Sequence, residues 1–443
     1  MSAILQDQDM TTKEWLDNLY QLYQEGLNGE QDHPIGHFRQ AGFRQLQELD
    51  FPTRRDEDWK YTSVARIVEN KFREGEVQQL SESDLQPYLL PGVAAIQLVF
   101  VNGHLQEGLS QMTDLPKGLT IQLVSDALKD EATRNWIEAQ VQVEGGTGKN
   151  TFLPLNQAFA KEGIFIRADR NQPIDRPIHL VYISTPGAQI HFVHPQLFVL
   201  AESSSELTVI ESYHATNGGA YFTNTANWME LKGNARINHY KMQCESKDAF
   251  QINNTIVSQD RDSCYSSYAV DLGGQIVRNN ISASLNASGT DTHFYGIYLG
   301  NDNQHIDNQT FIDHAMPHCE SNELYKGILT DKARGVFNGK VMVRQDAQKT
   351  NAFQQNSSLV LSPNAVMDAK PQLEIYADDV RCSHGATIGQ LDETAVFYLR
   401  SRGIPETQTR NLLQQAFLGE VLNHMEIPAF AERAEALIEE KLS

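Results

Sequence analysis

Side chains able to bind metal or move protons gather most densely in residues 373–389, where Cys382 and His384 stand two apart in a run that alternates as a strand does. Alternation puts the thiol, the imidazole and Ala386 on one face, and Ser383 and Gly385 on the other. A Cys-x-His pair offers two donors to a transition metal or an iron-sulfur centre, so a complete centre needs further ligands from elsewhere. The same pair also reads as a buried thiol beside a hydrogen-bonded imidazole. A second cluster, His314, His318 and Cys319, surrounds Pro317, which breaks the regularity that would align positions i and i+4. A turn with satisfied polar groups is one reading of it, and the metal site of a stand-alone oxidoreductase is the other. Asp378 and Asp379 are adjacent, so on a strand they point to opposite faces and cannot flank one glycosidic bond. The glycine-rich run 145–151 has Val143 where a phosphate loop needs glycine, so it reads as a turn. No Ser-His-Asp arrangement is legible.

The elements that must position these groups fall into three stretches. The first 70 residues read as helical. Thr11 and Glu14 have capping-box spacing, apolar residues from Trp15 to Tyr23 form a helical stripe, and a second helix is predicted over 35–49, before Pro52. From about 93 to 388 the pattern becomes short period-two runs rich in Val, Ile, Tyr, Phe and Thr, for example 178–183, 196–200, 207–211 and 236–242. No helical stripe interrupts 177–390, which disfavours alternating strand and helix units. Asn254, Asn280, Asn308 and Asn338 recur at intervals of 26, 28 and 30, about one coil of a β-helix, and are expected to ladder through their amides. The tail returns to helix, with Asp392 as N-cap, Gly403 as terminator, a longer amphipathic helix after Pro405 carrying Leu412, Leu413, Phe417 and Val421, and a last helix after Pro428. The expected fold is therefore mostly β: a strand core over 91–390 that a sandwich, a barrel or a solenoid would satisfy and for which the amide recurrence favours the solenoid, flanked by a helical N-terminal domain, 1–90, and a helical C-terminal domain, 391–443.

Composition narrows the function classes. With 36 Lys plus Arg against 57 Asp plus Glu, the net charge of −21 argues against a nucleic acid partner. Four cysteines without CxxC spacing exclude a disulfide framework and a self-contained zinc ribbon. No apolar run spans a bilayer and no signal peptide is evident, so no membrane partner and a cytoplasmic location are expected. That also argues against a carbohydrate-active β-helix enzyme, a class commonly secreted.

Three blocks carry a family resemblance: Arg54-Arg-Asp-Glu-Asp-Trp-Lys-Tyr-Thr62, the amide-rich Thr350-Asn-Ala-Phe-Gln-Gln-Asn-Ser-Ser-Leu-Val-Leu-Ser362, and 373–389 followed by Phe397-Tyr-Leu-Arg-Ser-Arg-Gly-Ile404. They resemble the SufB/SufD family, and the Glu57-x-Trp59-x-Tyr61-Thr62 element and modest length are nearer its SufD branch. The resemblance implies a right-handed parallel β-helix with helical ends, and a non-catalytic part in the SUF machinery of iron-sulfur cluster assembly. It implies pairing with SufB and docking of the ATPase SufC on the C-terminal helices, through Leu412, Leu413, Phe417 and Val421. His384 matches a family histidine near the SufB interface and is the expected cluster or iron ligand, with Cys382 a weaker candidate. The segment through which SufB supplies a cysteine has no counterpart here, so a transient cluster or iron belongs to the complex, as would FAD, and none is expected to bind the isolated chain tightly. A homodimer through the edge that normally meets SufB is plausible in isolation.

Overall fold

The computed structural model describes residues 19, 21, 34–143, 150–187 and 189–442. Apart from Leu19 and Gln21, the first expected helix lies outside these residues, as does the glycine-rich run apart from Asn150 and Thr151. Strands make up 40% of the chain and helices 24%, and the strands wind into a solenoid of about eight turns.

Each turn gives one strand to each of two sheets. On the first sheet Tyr221–Leu231, Phe250–Gln259, Ile276–Leu285, His305–His314 and Arg334–Val343 pair in parallel, in that order. On the second, Glu206–Ala215, Arg236–Cys244, Cys264–Asp271, Asp291–Gly300, Glu320–Leu329, Asn351–Val360 and Arg381–Gly389 do the same. Parallel pairing of next-but-one strands stacks equivalent residues, so every second side chain enters a common interior. Leu207, Ile237, Tyr265, Val277, Phe294, Ile306 and Phe337 are buried there. Asn234 and Asp262 adopt left-handed backbone at φ 60° and 56° at successive corners, where short polar side chains tolerate it. The wall admits close packing: Gly296 lies opposite Tyr325 and Tyr298 opposite Gly327, and a Cβ on Gly327 would sit 2.0 Å from the Tyr298 ring.

The amide repeat forms two ladders rather than one. Asn254, Asn280, Gln309 and Asn338 share an outward rung, whereas Asn308 aligns with Asn253 and Asn279 on the adjacent inward rung. Asn280 Nδ2 donates to Asn254 Oδ1 at 2.9 Å and Asn338 Nδ2 to Gln309 Oε1 at 2.8 Å. Inside, Asn279 Nδ2 donates to Asn308 Oδ1 at 2.9 Å. The expected series therefore slips by one residue at Asn308, because the coils are 26 and 29 residues long in register and not strictly periodic.

Helices cover the outside of both sheets. Helix α1 (Pro34–Gln47) matches the second predicted helix. Two further helices, α2 (Glu131–Gln140) and α3 (Phe152–Phe159), lie within the stretch expected to be all strand. Phe152, Leu155 and Phe159 pack with Phe192, Phe222 and Phe250 of the first sheet, so tertiary burial decides this short helix. The C-terminal helices α4 (Glu393–Ser401), α5 (Glu406–Leu422) and α6 (Pro428–Leu442) cover the second sheet. Asp392 caps α4 by accepting from the Thr394 amide at 2.8 Å, and Gly403 follows it at φ 90°. Leu418, Val421, Phe430 and Ile438 bury against Tyr240, Tyr268, Tyr295 and Leu324. No helix among the described residues is long and apolar enough to cross a membrane.

Candidate functional site

The solenoid ends at strand Arg381–Gly389, which pairs on one side with Asn351–Val360 and closes the second sheet. Its register places Cys382 opposite buried Ala352 and His384 opposite buried Gln354. Both therefore lie on the inward-facing rungs, two residues apart, at an end where no further coil covers them. Cys382 is half-buried with Val341, Val343 and Ala347, whereas His384 is exposed. Burial pushes the Cys382 thiol up, opposed by the Ala352 backbone.

Behind His384 runs a buried polar chain. Gln354 Nε2 donates to Glu323 Oε1 at 3.1 Å, and Thr310 donates to the other carboxyl oxygen. Burial pushes the Glu323 carboxyl up to about 7, so it can hold or release a proton near neutrality. Around the rim Phe353, Ile375, Tyr376 and Ile388 are exposed. An exposed strand edge with apolar side chains is a template for pairing with another chain.

The other predicted groups separate. His314 is buried and shares a hydrogen bond with Ser321 Oγ at 2.9 Å, Cys319 is buried with its thiol directed to Ala287 O at 3.3 Å, and His318 projects from a turn at φ 61°. The oxidoreductase cluster is not assembled. Asp378 accepts from Gln348 Nε2 at 2.9 Å and Asp379 pairs with Lys349, both in an exposed turn.

Of the four residues on α5 that the resemblance implies for docking, Leu412 is exposed, Leu413 and Phe417 are part-buried, and Val421 is fully buried on the solenoid. Val421 faces inward because it shares the stripe of Leu418 that seats α5, so it cannot meet a partner. Phe397 and Tyr398 on α4 are 74% and 57% exposed.

The segment 54–62 anchors the N-terminal region. The Trp59 ring lies under the Arg278 guanidinium at 3.7 Å, Arg278 Nη1 donates to Asp307 Oδ2 at 2.6 Å, and Thr62 donates to the same carboxylate. Beside it the outward amide ladder lines a groove of about 300 Å³ that also includes Lys340, Lys370 and Glu57.

These features define a β-solenoid protein whose last coil is open and carries soft donors. Comparison with known families identifies which: the family described as "SUF system FeS cluster assembly, SufBD core domain" matches residues 182–417, and "SufBD protein N-terminal region" matches 10–180. The chain belongs to the SufBD family of the SUF iron-sulfur assembly system and is SufD-like. It is 33% identical to an iron-sulfur cluster assembly SufBD family protein of Synechocystis, over 92% of this chain and 91% of the relative. It is 30% identical to the iron-sulfur cluster assembly protein SufD of Escherichia coli, over 91% and 92%, and 28% to SufD of Bacillus subtilis, over 65% and 66%.

Proposed function

We propose that this chain is the SufD-type, non-catalytic subunit of an iron-sulfur assembly scaffold. Its open terminal coil pairs with SufB and presents His384, and secondarily Cys382, to a nascent cluster or iron that SufB ligands complete. The observation that carries this reading is the terminal strand Arg381–Gly389: it is exposed, paired on one side, and brings an imidazole and a thiol to the same face. Two donors make half a site, which suits a transient cargo shared between two chains.

His384→Ala is expected to leave the fold and co-purification with SufB intact, because the side chain is exposed and unburdened by packing. Cluster-dependent enzyme activity in cells relying on this system should fall at least tenfold, roughly the effect of losing a metal-site partner. Unchanged activity would remove His384 from the ligand set.

The ATPase SufC docks on the C-terminal helices through Phe397, Tyr398 and Leu412, with Leu413 and Phe417 at the margin. Exposed aromatic and aliphatic side chains clustered on one domain are the usual anchors of such contacts. The double variant Phe397→Asp, Leu412→Asp should lose SufC in a pull-down while melting as the unsubstituted chain does. Retained SufC would refute the docking surface. These side chains are a cleaner probe than truncation, since removing α5 and α6 would strip Leu418, Phe430 and Ile438 from the solenoid.

A further inference from the structure

The outer face of the second sheet carries a group of metal-ligating side chains away from the terminal coil. Cys264 and Asp291 are paired in register on adjacent strands, and His293 follows Asp291 by two on the same face. Their ligand atoms all lie within 4.8 Å of one another. His293 Nε2 stands 3.0 Å from Asp291 Oδ1, close to the separation of two neighbouring ligands on a tetrahedral ion with bonds of about 2.0–2.2 Å. Asp291 Oδ1 is itself buried and accepts no hydrogen bond among the described residues. Its neighbour is His293 Nε2, and an ion seated between carboxylate, imidazole and thiol would take a lone pair from each.

We propose that Cys264 Sγ, Asp291 Oδ1 and His293 Nε2 form a binding site for a divalent transition ion of the zinc and ferrous class, with the remaining position open to water or an incoming thiolate. The donor set selects that class: a thiolate and an imidazole disfavour calcium and magnesium, and three protein ligands leave the site exchangeable. Half-exposed Cys264 and His293 give an ion access from solvent. On binding, the thiol proton leaves to solvent and a metal-sulfur bond replaces it. His293 stacks on Tyr295, and Tyr295 on His424 just beyond α5 at 4.2 Å, so the ring orientation of the imidazole is held by the C-terminal domain. Arg236, opposite Cys264 on the next strand, adds positive charge beside the site, which opposes cation binding and keeps affinity moderate. The site is distinct from the terminal donors. It lies three strands from Arg381–Gly389, about 14 Å at ordinary strand spacing, and faces outward where Cys382 and His384 face inward.

The test is titration of the purified full-length chain with Co(II) under reducing, oxygen-free conditions. Expected are one equivalent bound, a thiolate-to-cobalt charge-transfer band and visible bands of tetrahedral intensity, displaced by Zn(II). Cys264→Ser should abolish the charge-transfer band, His293→Asn should weaken binding at least about tenfold, and Cys244→Ser, at a thiol outside both donor groups, should change neither. As a readout that needs no variant, Zn(II) should slow alkylation of Cys264, mapped by mass spectrometry. Absence of the band in the unsubstituted chain, its survival in Cys264→Ser, its loss in Cys244→Ser, or unprotected Cys264 would each overturn the proposal. Failure of the terminal-coil reading leaves these results unchanged.

Discussion

Acidification is expected to unfold this protein cooperatively at about pH 5, well above the range in which carboxylates alone would drive it. Six histidines are strongly lowered by burial. Burial lowers His179, His191, His305 and His314 from 6.5 to about 4, and His194 and His214 to about 3. Each is neutral in the fold and would take a proton once unfolded. Their stabilising contribution is thus fully present above pH 6.5 and is lost as pH falls toward the folded values. The loss is at most about 1.4 kcal/mol per pH unit for each histidine, or about 8 kcal/mol per unit for all six.

Two buried carboxyls act in the opposite direction. Glu245 and Glu323 are raised by burial from 4.5 to about 7, so the fold holds protons that the unfolded chain has released. Between pH 7 and 4.5 their contribution grows as pH falls, by about 3 kcal/mol per unit for the pair. The histidines win by about 5 kcal/mol per unit, which within one or two units exhausts a typical stability of about 5–15 kcal/mol. Circular dichroism across pH 8 to 4 should show a sharp transition. The double variant His179→Gln, His314→Gln should move it to lower pH. A native spectrum retained at pH 4 would show that the histidines do not govern it.

The second large effect is expected at Arg278. It is buried with Asp307, at 3% and 1% side-chain exposure, and its guanidinium also covers Trp59. Arg278→Ala removes one partner of a buried ion pair and leaves Asp307, among the described residues, to Thr62 and Gln309 Nε2, the latter at 2.6 Å. Such a loss costs about 3–5 kcal/mol, because the remaining charge is desolvated without compensation. Because Trp59, Thr62 and Arg278 clamp the segment 54–62 onto the solenoid, the variant should also expose Arg54 and Arg55 to faster tryptic cleavage. Arg278→Met with Asp307→Asn keeps packing and hydrogen bonds without a lone charge, and should lose about 1–2 kcal/mol. A single-variant loss below 1 kcal/mol, with unchanged proteolysis, would mean that the clamp lies elsewhere.

Much of the architecture was legible from residue types. The period-two runs at 178–183, 196–200, 207–211 and 236–242 are strands, because β-branched and aromatic residues in alternation have one stable arrangement on a two-faced sheet. Asp392, Gly403 and the prolines at 405 and 428 mark helix ends, because capping depends on local backbone chemistry alone. The parity of Cys382 and His384 likewise follows from the strand period. What the chain alone left open was register. Coil lengths vary at the corners, so Asn308 moves from the outward amide rung to the inward one, a one-residue slip that alternation cannot reveal. Similarly, α5 has apolar residues on several sides, and only its seating on Tyr240, Tyr268 and Tyr295 determines that Val421 is buried while Leu412 remains outside.

The same distinction separates the two metal-binding possibilities. The Cys382 and His384 pair is a property of sequence, two residues apart on one strand. Cys264 and Asp291 are neighbours only because one coil of the solenoid returns the chain to the adjacent strand in that register. Local propensity determines each strand by itself. Which side chains then meet across the sheet depends on the length of every loop between them, and that is settled only when the whole coil packs.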